Sequence, residues 1–148
     1  MDLGALGIKL YPQWSNRLPD ISGMNMNHQI EINTISNYLE SQSLPEADRY
    51  VFSYTITICN SGAIPARLLA RHWVITDANG KIQEVRGEGV VGEKPHLSPG
   101  DCFRYTSAAM IETPVGVMRG EYLLVSDEGV AFDAEIPSFT LAVPRVLH

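Results

Sequence analysis

Gly87, Gly89 and Gly92 stand at the spacing of a pyrophosphate-binding turn, with Arg86 just before them and Lys94 just after. Such a turn normally follows a strand and opens a helix, whose unpaired first amides and dipole hold the phosphates. Here the chain continues as Glu93-Lys94-Pro95 and Leu97-Ser98-Pro99-Gly100, and two prolines with a second turn signal leave no room for the first helical turns. Two readings follow. In one, the segment is a plain connection whose glycines permit positive φ or close backbone packing. In the other, Arg86, Gly87, Gly89, Gly92 and Lys94 form an anion nest, in which successive backbone amides hold a nucleotide or pyrophosphate without a helix. Glu88 and Glu93 count against the second, because carboxylates beside the loop repel a polyphosphate.

The other reactive residue types do not converge on a chemistry. His28, His72, His96 and His148 are far apart, with no i, i+4 pair and no cysteine at ligand spacing, so most of them read as surface residues. Asp127, Glu128, Asp133 and Glu135 surround one predicted turn and read as a solvated hairpin tip rather than a cation site. Cys59 and Cys102 fall in predicted strands, where small, buried, inert thiols are ordinary. Ser107 and Ser126 lack a Gly-x-Ser-x-Gly elbow. The expectation is therefore no catalytic residue, no metal ligand set and no cofactor. Thr113-Pro114-Val115 remains as a turn whose side chains can contact a partner.

The elements that must position these residues are strands. Tyr50, Phe52, Tyr54, Ile56 and Ile58 alternate with Val51, Ser53, Thr55, Thr57 and Cys59, the mark of a half-buried strand. Arg67 to Thr76 carries apolar residues on both faces and reads as a central strand, with Trp73 as a core anchor. Asn79-Gly80 predicts a type I′ hairpin turn leading into a strand over Ile82 to Val85. Further strands are predicted at Gln29 to Ile35, Cys102 to Ser107, Val117 to Val125 and Ala131 to Ile136, and a last one through Phe139, Leu141 and Val143 after an interruption at Pro137. Asn37 to Ala47 reads as a loop. About eight short strands separated by turn chemistry, with no convincing amphipathic helix, predict an all-β, antiparallel two-sheet sandwich.

The 148 residues suit one domain, and 45% hydrophobic with 19% charged residues is ordinary for a globular protein. No apolar run approaches a bilayer span, so no membrane insertion is expected. A net charge of −6 with scattered Lys and Arg argues against a nucleic-acid surface. Two cysteines at this separation suit neither a zinc knuckle nor a disulfide-stapled secreted module, and the expected compartment is a reducing cytoplasm. Residues 1–25 contain Pro12, Asn16 and Pro19 and no sustained apolar core, which predicts a poorly ordered extension, with the domain over residues 26–148. Sandwich edges are exposed strands unless covered, and they offer a route to a homodimer.

Six signals in fixed order carry a resemblance: Arg71-His72-Trp73-Val74-Ile75-Thr76-Asp77; Glu84-Val85-Arg86-Gly87-Glu88-Gly89-Val90-Val91-Gly92; Ser98-Pro99-Gly100; Tyr105-Thr106-Ser107; Thr113-Pro114-Val115-Gly116-Val117-Met118-Arg119-Gly120; and Ile136-Pro137-Ser138-Phe139 with Leu141-Ala142-Val143-Pro144. Together they resemble the ApaG family of bacterial proteins from about Ile30 to His148. The resemblance implies an immunoglobulin or fibronectin type III-like sandwich. It also implies an association with cobalt resistance and magnesium efflux, an operon shared with a diadenosine tetraphosphate hydrolase, and use as a domain in F-box and polymerase-interacting proteins. No catalytic residues come with it. A module reused beside unrelated partners implies a protein-binding role rather than an enzyme.

Overall fold

The computed structural model describes residues 6–10 and 27–144. Among these residues the chain forms nine strands: β1 (Leu6–Leu10), β2 (Ile30–Tyr38), β3 (Tyr50–Asn60), β4 (Ala66–Asp77), β5 (Ile82–Glu88), β6 (His96–Leu97), β7 (Cys102–Ile111), β8 (Val115–Ser126) and β9 (Ala131–Ala142). They build two antiparallel sheets, the first in the order β1-β7-β3-β2 and the second in the order β5-β4-β8-β9, with β6 added beside one end of β4. The two-layer sandwich predicted from the period-two runs is the observed fold. The predicted loop between β2 and β3 contains two short 3-10 turns, Glu40–Gln42 and Pro45–Ala47.

Alternation along the strands places the core. Phe52, Tyr54, Ile56 and Ile58 of β3 are fully buried against Trp73 and Ile75 of β4 and Met118, Tyr122 and Leu124 of β8. Trp73 meets Tyr54, Tyr122 and Phe139 edge-on, at centroid separations of 5.3, 6.3 and 5.9 Å, the geometry that aromatic quadrupoles favour. The hydroxyls of Tyr105 on β7 and Tyr122 on β8 share a buried hydrogen bond of 2.6 Å across the layers. On one flank Ser36 Oγ donates to the Thr140 carbonyl at 2.9 Å and draws β2 against β9. On the other flank β5 is an edge of the second sheet.

Four local features differ from expectation. Cys59 and Cys102 are a disulfide rather than two separate thiols. The β3–β7 register sets them directly opposite each other, an adjacency that a sequence separation of 43 conceals. At Asp77-Ala78-Asn79-Gly80 only Gly80 has positive φ, and its amide bonds the Asp77 carbonyl, so the turn is type I closed by a glycine bulge rather than type I′. The buried Asp77 carboxylate selects it by accepting the Asn79 and Lys81 amides at 2.9 Å each. β9 runs unbroken through Pro137, because the register with β8 shifts between Met118 and Gly120 and an edge strand tolerates a residue without an N–H. Finally, Leu6–Leu10 pairs with β7, so the first sheet takes in a segment of the stretch predicted to precede the domain. The rest of the predicted extension lies outside the described residues.

Candidate functional site

The second sheet turns one face to the core and the other to solvent, and register arranges the outer side chains in rows. Ile82, Thr76, Val117 and Thr140 form one row across β5, β4, β8 and β9. Next come Glu84, Val74 and Arg119, then Arg86, His72, Glu121 and Glu135, then Glu88, Ala70, Leu123 and Asp133. Ile82, Val115, Val117 and Leu123 are exposed large apolar residues on this face.

His72 organises the charged rows. Its Nδ1 lies 2.9 Å from Glu121 Oε1 and its Nε2 lies 3.1 Å from Glu84 Oε1. Donating both bonds at once requires a hydrogen on each ring nitrogen. The ring is half-buried, with its side chain 17% exposed, and it ties β5 to β8 across β4. Beside it opens a groove of about 460 Å³, lined by Ala70, His72, Arg86, Glu121, Leu123 and Asp133 and reaching Arg71, Gly87 and Glu88.

The glycine segment borders this groove, and its backbone is already engaged. Gly87 lies within β5 rather than in the loop, and Arg71 Nη1 donates to the carbonyls of Glu88 and Gly89 at 3.1 Å each. Arg67 Nη1 donates to the Lys94 carbonyl at 2.7 Å. The Gly89 amide bonds the Leu69 carbonyl, and Val90 and Glu93 exchange both amide–carbonyl bonds at 2.8 Å. Val91 and Gly92 close that reverse turn with φ of 46° and 77°, a left-handed pair that a β-branched residue rarely joins. Val90 points into the core and is fully buried. Three amides that a phosphate nest would use are thus committed within the protein, and the arginines hold carbonyls rather than facing an anion. Of the nest's two cations, Arg86 lies 3.9 Å from Glu84, and Lys94 lies 3.6 Å from Glu88.

The turn singled out as a contact point divides. Thr113 is buried, its hydroxyl accepting the Ala78 amide at 2.9 Å and donating to the Val115 carbonyl at 2.8 Å, so it shapes the turn. Pro114 and Val115 are exposed, and Val115 continues the apolar row of Ile82 and Val117. The ion-pairing role of His72 and the roles of Arg71, Glu84 and Glu121 are ones sequence reasoning missed. The available signal was the hairpin at Asn79-Gly80, whose register brings Arg86 opposite His72 and Glu84 opposite Val74. Among the described residues, no helix is long and apolar enough to cross a membrane.

Comparison with known proteins gives concordant matches. A family described as the ApaG domain matches residues 40–126. Protein ApaG of Azoarcus sp. (strain BH72) is 56% identical over 121 residues, covering 82% of this chain and 95% of the relative. Protein ApaG of Thiobacillus denitrificans is 60% identical over the same shares. A crystal structure of an ApaA protein from Bordetella pertussis superposes with a TM-score of 0.79 at 44% identity, covering 81% of this chain and 98% of that one.

Proposed function

Since this chain belongs to the ApaG family, we propose that it is a non-enzymatic interaction module that binds another protein through the outer face of the second sheet. The observation that carries this reading is the set of exposed apolar residues Ile82, Val115 and Val117 on one outer face, beside exposed Pro114 and separated from the charged groove by the row of Glu84, Val74 and Arg119. An apolar strip rimmed by polar residues is the usual anatomy of a protein contact. In this reading the cobalt-resistance and magnesium-efflux association implied by the resemblance is exerted through the partner. A cytoplasmic site of action belongs to the same proposal. The alternative, nucleotide or pyrophosphate binding at the glycine turn, would rest on Arg86 and Lys94, both close to carboxylates.

The test compares the chain with Val117→Asp in affinity capture from lysate of the source cells. A stoichiometric partner retained by the parent and lost by the variant, at unchanged melting temperature, is the expected result. Equal capture by both removes this face from the proposal. A rise in melting temperature with ATP or diadenosine tetraphosphate would favour the alternative through ligand linkage.

A further inference from the structure

The charges on the outer face of the second sheet are unevenly committed. Five carboxylates, Glu84, Glu88, Glu121, Asp133 and Glu135, share it with Arg86, Arg119 and His72. His72 is tied to Glu121 and Glu84, Arg86 leans toward Glu84, and Glu88 is met by Lys94. Among the described residues the carboxylates of Asp133 and Glu135 have no hydrogen bond or ion pair; Glu135 stands beside Glu121, and Asp133 stands beside Leu123 and lines the groove. The guanidinium of Arg119, one row away, likewise has none among these residues, so two uncommitted carboxylates face one uncommitted guanidinium, and the balance on this side of the face is negative and adjoins apolar Leu123. We propose that the occupant of this face is a basic segment of a partner protein, with an arginine or lysine set between Glu121, Asp133 and Glu135 and, further along the segment, an aliphatic residue on the row of Val117 and Ile82.

Charge complementarity decides between this occupant and a second copy of the chain. The row Arg86, His72, Glu121, Glu135 runs from positive to negative and would match itself under a two-fold rotation about an axis along the strands. The same rotation sets Glu88 against Asp133, and each copy carries a net charge of −6. Like charges brought together in an interface oppose association, whereas a basic segment gains from Asp133 and Glu135 alike.

This inference rests on the proposed protein-binding role, and its experiment separates the two. Three labelled peptides serve as probes: alternating arginine and valine, alternating glutamate and valine, and alternating arginine and serine. Each is titrated into the full chain while backbone amide resonances are followed. The arginine–valine peptide is expected to shift amides of β4, β5, β8 and β9 along the outer rows, the arginine–serine peptide to bind more weakly, and the glutamate–valine peptide to do nothing. The double variant Asp133→Asn with Glu135→Gln should weaken the first peptide about tenfold, as the loss of two exposed charge contacts implies. Arg119→Gln should tighten it, and Glu31→Gln, on the outer face of the first sheet, should leave it unchanged. These side chains are exposed, so unchanged melting temperatures are expected throughout. Equal binding of both charge signs, weakening by Arg119→Gln, or the same amide shifts produced by raising protein concentration without peptide would overturn the inference, the last naming a second copy as occupant. Failure of all the peptides while Val117→Asp still abolishes partner capture would sink the basic-segment inference alone.

Discussion

Arg71 lies across the bare backbone of Gly87, its Nη1 only 2.6 Å from where a β-carbon on that glycine would stand. From there the guanidinium reaches the carbonyls of Glu88 and Gly89 and fixes the start of the glycine turn. Gly87→Ala should therefore displace the arginine head rather than the sheet, since the far end of a flexible side chain can move. Losing two charge-assisted bonds should cost about 1–3 kcal/mol in urea unfolding. Arg71→Ala should cost a similar amount, and the double variant should fall well short of the sum, because both changes remove one interaction.

Gly89 and Gly92 both have positive φ but different surroundings. A β-carbon at Gly92 meets nothing within 4 Å, whereas one at Gly89 would run into the Glu93 carbonyl oxygen. Gly92→Ala should cost about 1 kcal/mol, the ordinary penalty for a left-handed alanine. Gly89→Ala should cost clearly more, because backbone must shift to admit it. Paired thermal melts check the order, and equal losses would contradict the geometry.

Gly120 lies in the middle of β8, where a β-carbon would overlap the His72 carbonyl oxygen of β4. Gly120→Ala must force the central strands β4 and β8 away from each other, and a loss of at least about 3 kcal/mol is expected. The urea midpoint, or failure to recover folded protein, checks it. Gly129→Ala, at a turn with open space around it, provides a mild control.

The Cys59–Cys102 disulfide closes a loop with a sequence separation of 43. On a chain-entropy account, opening it should lower stability by up to about 4 kcal/mol. Urea unfolding with and without dithiothreitol measures this, and Cys102→Ser should match the reduced protein. Thiol counting on protein alkylated inside cells would also report the compartment, since a reducing cytoplasm keeps such pairs open.

The Lys81 ammonium is raised above its ordinary value of 10.5 by a hydrogen bond from its side chain to Glu112, and by the charges of Glu112 and Asp77. A folded value above the unfolded one means that the pair's contribution is complete below 10.5 and is lost as pH rises through the raised value. Both side chains are more than half exposed, so the contribution is small and salt-sensitive. Lys81→Met should leave the neutral-pH melting temperature nearly unchanged, and any gap between variant and parent should close on the alkaline side.

The fold was legible because Tyr50 to Ile58 alternate cleanly and each strand ends in turn residues. What escaped depended on pairing between distant segments. Cys59 and Cys102 each look like an ordinary strand thiol until β3 lies beside β7. Arg71 and Gly87 look unrelated until the Asn79-Gly80 hairpin folds one onto the other. The glycine spacing left two readings open for a related reason. Spacing specifies where positive φ is tolerated, but Arg71, Leu69 and Glu93 determine which backbone groups of the turn remain available. Pro137 hid the continuity of β9, because a proline is as compatible with a bulged edge as with a break.

The buried contact between the Tyr105 and Tyr122 hydroxyls joins the layers in the interior. Sliding one layer over the other would break this buried bond, so it opposes shear of the sandwich. Glu121 and Leu123 flank Tyr122 along β8 and point the opposite way, so their positions are set from inside the molecule. Under the proposed role, a protein arriving on that outer face would meet a plate shaped beforehand, and little would be lost in ordering it. The strength of the union then answers to how well the newcomer fits, not to how far this surface yields.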